Sequence, residues 1–244
     1  MKKFILLSVF CIIVTNVFAQ TDFTQLWKEG RDAYNAKNYA VAYAKLGEYL
    51  KQTNSKDSAI AYCIGVSAYK LKKYNEAISF FDIAIKKNFN VGNAYAQKAF
   101  ALKAQKKMEE YVSTLESGLK ADPDNATLIK NYALYNLKTG LAAQKAGKND
   151  VAEASYKKVI VLNDKKSKTD ALYSLGVLCY NDGADILKKA TPLSTSDADK
   201  YAAEKTKADA RFKEAVDYLE EAAKVSPERN DIKTMLTQVK DAME

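Results

Sequence analysis

Histidine is absent from all 244 residues. Without it there is no Ser-His-Asp triad, no Cys-His dyad and no imidazole-bearing metal site. Glycine and proline are scarce, at 9 and 3 residues. A β-sandwich needs a turn every eight to twelve residues, and this chain lacks the punctuation for that. Arginine is nearly missing too, since only Arg31, Arg211 and Arg229 occur among 38 basic side chains. Readers of nucleic acid favour arginine forks for phosphate and guanine, so lysines spread along helices argue against such a partner. No glycine-rich phosphate loop follows a strand, no G-x-S-x-G elbow exists, and there is no EF-hand loop. The carboxylates stand beside lysines at helical spacings, as solvated faces do. The chain is therefore expected to be no enzyme and to use no metal or cofactor.

What remains is 48% hydrophobic and 28% charged, rich in alanine and lysine, and long enough for a sizeable core. Met1-Lys2-Lys3 is a basic start, Phe4 to Val17 an apolar stretch, and Val17-Phe18-Ala19 a small-residue cleavage site. Residues 1–19 read as a signal peptide, cut before Gln20 and too short to span a membrane comfortably. Phe10 precedes Cys11 where a lipidation signal wants a small residue. The expected product is an exported chain, 20–244, periplasmic or secreted, without an integral span. Loss of Lys2 and Lys3 lowers its formal charge from +8 to +6. Asn125-Ala126-Thr127 is a glycosylation acceptor if the source is eukaryotic.

A repeat runs through the rest. Gly30, Gly65, Ala99, Gly140 and Gly176 are spaced by 35, 34, 41 and 36 residues. A small residue recurring inside helices marks where a neighbouring helix packs closely. A second pattern follows: Ala42-x3-Leu46, Ala77-x3-Phe81, Tyr111-x3-Leu115, Ala152-x3-Tyr156 and, after an insertion, Ala215-x3-Leu219. Tyr49, Ala84, Gly118, Val159 and Ala222 continue the same helical face. Pro123 and Pro227 stop the second helix at matching phases.

This pattern resembles the tetratricopeptide repeat, a helix–turn–helix unit of about 34 residues. The clearest copy is Ile64-Gly65-x3-Tyr69 followed by Tyr74-x2-Ala77-x3-Phe81-x2-Ala84. Glu29, Lys98 and Tyr111 depart from the family's preferences. The resemblance implies an all-α, right-handed superhelical solenoid of five helix pairs, at 23–57, 58–91, 92–132, 133–168 and 169–229. The last carries a helical-hairpin extension over 181–211, and 230–244 reads as a capping helix. That cap has Ile232, Met235, Leu236, Val239 and Met243 on one stripe. Seven extra residues after Pro123 predict a first helix lengthened by about two turns. In the extension, Ser196 is expected to start the long second helix with Asp199 as capping-box partner. The hairpin reads either as a partner-binding arm or as a solvated elongation, because its tip has no aromatic anchor.

In such a solenoid the first helices line the concave side. Their inward face would carry Trp27, Arg31 and Tyr34, then Tyr62, Val66 and Tyr69, then Phe100 and Lys103. Trp, Tyr and Arg dominate interface hot spots, and Trp27 is the only tryptophan. Tyr34 and Tyr69 recur in phase, which also suits packing between repeats. The face continues as Leu134, Leu137 and Leu141, then Tyr173, Val177 and Tyr180. Some family members clamp a chaperone's carboxylate tail with Lys, Asn and Arg. The matching positions here are Trp27, Arg31, Cys63, Asn93 and Gln97, which speaks against that role. The repeats separate Cys63 and Cys179 by roughly 30 Å, against a Cα limit near 7 Å for a disulfide, so two free, mostly buried thiols are expected. The expected function is a monomeric, non-catalytic scaffold of the cell envelope that holds a protein segment. The alternatives are a basic periplasmic binder of anionic envelope polymers and a self-assembling protein.

Overall fold

A computed structural model describes residues 23–244; residues 1–19, read above as a signal peptide, and Cys11 among them lie outside the described residues. The described residues are helical, with no strand among them. They fall into two compact units divided after Leu128.

The first unit holds three helix pairs. These are α1 (23–35) with α2 (Tyr39–Thr53), α3 (Ser58–Lys70) with α4 (Tyr74–Lys86), and α5 (Val91–Ala104) with α6 (Met108–Ala121). Each glycine of the repeat receives the large side chain of its partner helix. A Cβ on Gly30 would lie 2.7 Å from Leu46, and one on Gly65 2.8 Å from Phe81. At these two positions a Cβ would force the facing side chain aside, which is why the spacing shows so clearly in the sequence. Apolar clusters fill the gaps between helices, around Leu46, Ile60 and Ile64 and around Ala68, Ala77, Phe81 and Ala101.

Within the pairs the chain reverses through a left-handed residue: Lys37, Lys72 and Lys106, with φ of 60°, 62° and 62°. Each stands seven positions after the small residue of its repeat. The following amide reaches back to close the helix, as in Lys73 N–H to Ala68 O at 2.9 Å.

The second unit begins within α7 (Ala126–Lys145), which enters it at Ile129. It continues through α8 (Asn149–Ile160), α9 (Lys165–Ala190), α10 (Leu193–Ser196), α11 (Ala198–Val225) and α12 (Asn230–Asp241). The seven extra residues lengthen α7 at its N-terminus, as the sequence predicts. The same lengthening corrects a boundary: residues 132 and 133 lie inside α7, and 168 and 169 inside α9. A fixed period cannot register where a helix has been extended backwards.

Gly147 makes the α7–α8 turn with φ 69°. The residue at that phase in the next repeat is Gly183, and there the chain does not turn. Helix α9 runs through it to Ala190, and Gly183 instead accepts Phe212 of α11, 2.7 Å from where its Cβ would be. Gly176 accepts Leu219 in the same way two turns earlier. The hairpin extension is thus packed by the device used in the body of the repeats.

Two details of the sequence reading are corrected. Asp197, not Ser196, caps α11, its carboxylate accepting from Lys200 N–H at 3.1 Å. Pro192 sets off the short helix α10, so Ser196 ends that turn and its hydroxyl donates to Pro192 O at 3.2 Å. In the terminal helix Ile232, Met235 and Val239 are buried, but Met243 lies beyond the helix end and is 41% exposed.

Candidate partner-binding surface

The first helices of the first unit carry all eight residues singled out for a groove. On α1, the guanidinium of Arg31 lies 4.6 Å from the centre of the Trp27 ring and pairs with Asp32 at 3.0 Å. Trp27 is half-buried and packs on the cluster of Leu46, Ile60 and Ile64, with Cys63 beside that cluster. Arg31 is exposed. Tyr34 meets Tyr39 edge to face at 6.2 Å. Burial pushes its hydroxyl pKa up to about 12, helped by neighbouring Cys63 and Tyr62.

On α3, the Tyr62 ring stands edge-on to Phe81 and Phe89, 5.9 and 6.0 Å away, and burial raises its pKa. Val66 and Tyr69 pack against the cluster around Phe81, and Tyr69 tilts onto Tyr74 at 5.8 Å. On α5, Phe100 is half-buried, and the exposed Lys103 sets its ammonium 5.3 Å from the ring of buried Tyr111.

The structure therefore joins Trp27 to Arg31, and Tyr34 to Tyr62 through their shared neighbourhood at Cys63. It gives Tyr69, Val66 and Lys103 partners inside their own repeats. The aromatic side chains are half-buried, while Arg31, paired with Asp32, and Lys103 are exposed. Asn93, at a position of the chaperone clamp, is held by Asn90 at 2.8 Å and by Asn125 at 3.4 Å. Such a surface can hold apolar side chains against ring edges and anionic groups at its two cations. It brings no nucleophile beside a base.

Both described cysteines are free. Cys63 is half-buried rather than buried, and burial raises its pKa. Cys179 is buried and is pushed up to about 12, the desolvation outweighing nearby Arg211.

In the second unit Tyr173 lies under Arg229 at 5.4 Å, Tyr180 tilts onto Phe212 at 5.8 Å, and Val177 joins the core. A polar cluster there escaped the sequence reading. Arg211 of α11 reaches Asp182 of α9 at 2.9 Å and Glu153 of α8 at 3.2 Å, and also pairs with Glu214. Asn149 of α8 donates to the same Asp182. The only hint in the sequence was that three arginines survive in a lysine-rich chain. A guanidinium can serve several carboxylates at once where an ammonium cannot.

The tetratricopeptide-repeat profile matches residues 28–91 and 137–185. A crystal structure of a TPR repeats protein from Bacteroides fragilis is 57% identical, covers 90% of this chain and 98% of its own, and superposes with a TM-score of 0.82. The chain belongs to the tetratricopeptide-repeat family. Two other solved structures are similar at lower identity. The thermophilic TPR protein TTC0263 of Thermus thermophilus is 18% identical over 89% of this chain and 98% of its own, with a TM-score of 0.36. The TPR2AB domain of yeast Sti1, solved in a pHSP90 complex, is 13% identical over 91% and 99%, with a TM-score of 0.38. No curated protein matches the chain. Among the described residues no helix is long and apolar enough to cross a membrane.

Proposed function

We propose that this tetratricopeptide-repeat chain is an exported, non-catalytic scaffold of the cell envelope that holds a segment of a partner protein. The observation that carries the reading is the first-helix face of the first unit. Trp27, Tyr34 and Tyr62 are half-buried on it, the exposed Arg31 lies over Trp27, and the exposed Lys103 lies over Tyr111. Interface energy concentrates in such aromatic and arginine anchors. Export rests on the basic start, apolar stretch and Val17-Phe18-Ala19 of the leader.

The test is capture from the native envelope at low and high salt, read by mass spectrometry. Trp27 and Tyr62 pack into the core, so their removal would confound binding with folding. Arg31→Glu with Lys103→Glu is the cleaner variant. One partner retained at high salt by the wild type and lost by this variant is the expected result. Retention only at low salt, with no dominant protein, would replace the reading with binding of anionic polymers. For export, the N-terminus of the protein recovered from the envelope should begin at Gln20.

A further inference from the structure

Helix α7 differs from the other long helices. Its twenty residues contain no aspartate and no glutamate. Ile129, Ala133, Asn136, Gly140 and Ala143 face inward and are buried, with Gly140 closed against Tyr156 of α8. On the opposite side Lys130, Leu134, Lys138, Leu141 and Lys145 fall within an arc of about 80°. Leu134 and Leu141 are 44% and 49% exposed. The three lysines are exposed; the charge of Lys130 is felt by Asp164, whose carboxyl it helps to lower, and no salt bridge holds Lys138 or Lys145 among the described residues. Some lysines of other helices are paired, as Lys98 is with Asp82 at 2.6 Å and Lys157 with Glu153 at 2.6 Å.

We infer that this face of α7 docks an acidic amphipathic helix of a partner protein, which rests on the scaffold reading above. The two leucines stand two turns apart, about 10 Å. Apolar side chains seven residues apart on a second helix would meet both, and carboxylates flanking them would meet the three lysines. Charge complementarity selects the sign of the partner, since α7 offers only positive charge. The leucines select its class. A polyanion would engage the lysines and leave Leu134 and Leu141 in water. An anionic membrane calls for a broad apolar face with lysines at its margins, whereas here the lysines interleave with the leucines.

The probe is a fluorescein-labelled helical peptide of about eighteen residues, with leucines seven apart and glutamates beside them. It is titrated by fluorescence anisotropy against the full chain. The controls are the same composition with the leucines moved to opposite faces, polyglutamate, and vesicles of phosphatidylglycerol and phosphatidylcholine in equal amounts. We expect the designed peptide to bind, and Leu134→Ser with Leu141→Ser to weaken it about tenfold or more. Lys130→Glu with Lys138→Glu should abolish it. Equal binding of the rearranged peptide, indifference to the leucine change, stronger binding to the vesicles, or no binding would each overturn the inference. A photo-crosslinking residue placed in cells at position 134, and separately at position 103, parts this inference from the one it rests on. Crosslinks from 134 that map to an acidic amphipathic segment support it. Crosslinks from 103 alone reject it and leave the scaffold standing, and crosslinks from neither reject both.

Discussion

Lys72 occupies a left-handed backbone at φ 62° with no glycine to ease it, and Lys37 and Lys106 do the same. An L-residue there carries about 1 kcal/mol of strain. Lys72→Gly should therefore stabilise the protein by about 0.5–1 kcal/mol, and Gly147→Lys should destabilise it by a similar amount. Urea unfolding measures both, and a loss of stability in Lys72→Gly would contradict the strain. Cys179 gives a second prediction. Its folded pKa near 12 lies above the unfolded value of about 8.5, so the neutral thiol stabilises the fold. That contribution is complete below pH ~8.5 and is lost as pH rises toward 12. The fall in unfolding free energy between neutral and alkaline pH should be shallower in Cys179→Ala than in the wild type. A thiol reagent at pH ~8 should label Cys179 only once denaturant is added.

At the scale of elements, α8, α9 and α11 are tied by Arg211 to Glu153 and Asp182. Arg211→Ala leaves two partly buried carboxylates facing each other and should cost about 2 kcal/mol. Burial alone would raise the pKa of Glu153, but Lys157 and Arg211 outweigh it and the net shift is downward. A lowered carboxyl contributes stability above its unfolded pKa and loses it as pH falls through the folded one. The difference between wild type and Arg211→Ala should hence shrink toward pH ~3, and a constant difference would show the loss to be one of packing. None of this was legible in the sequence, because the partners of Arg211 lie 29 and 58 residues away. The glycine-to-aromatic contacts were legible, since a missing side chain and its bulky counterpart recur at a fixed distance. So was the placement of the candidate groove residues on the first helix of each pair. How deeply each is covered was not. Tyr62 is flanked by Phe89, a residue between helices that follows no period. The turn lysines left no trace either, because lysine has no preference for the conformation they adopt.

Over the whole molecule, the long hairpin is an ordinary repeat with 27 residues, 184–210, set into its turn. Joining Gly183 to Arg211 gives Gly-Arg-Phe-Lys-Glu-Ala, which matches Lys72-Lys73-Tyr74-Asn75-Glu76-Ala77 around an ordinary turn. Deleting 184–210 should leave a chain that unfolds cooperatively, with Gly183 taking the left-handed turn that Gly147 makes. The thermal midpoint should drop by about 4–8 °C for a loss of ~2 kcal/mol, read by circular dichroism. A chain without a cooperative transition would show instead that the hairpin is part of the core.

The contacts of Leu219 with Gly176 and of Phe212 with Gly183 lie seven residues apart on each helix. Two turns restore the facing to within about 20°, whereas a step of five or six residues would rotate a glycine away from its aromatic or leucine. The hairpin therefore behaves as a ruler with fixed graduations. Proteins built this way reach farther or less far by steps that restore the facing, such as the two turns, about 10 Å, used here. A change of one or two residues on one side would not alter the reach but would break the rung.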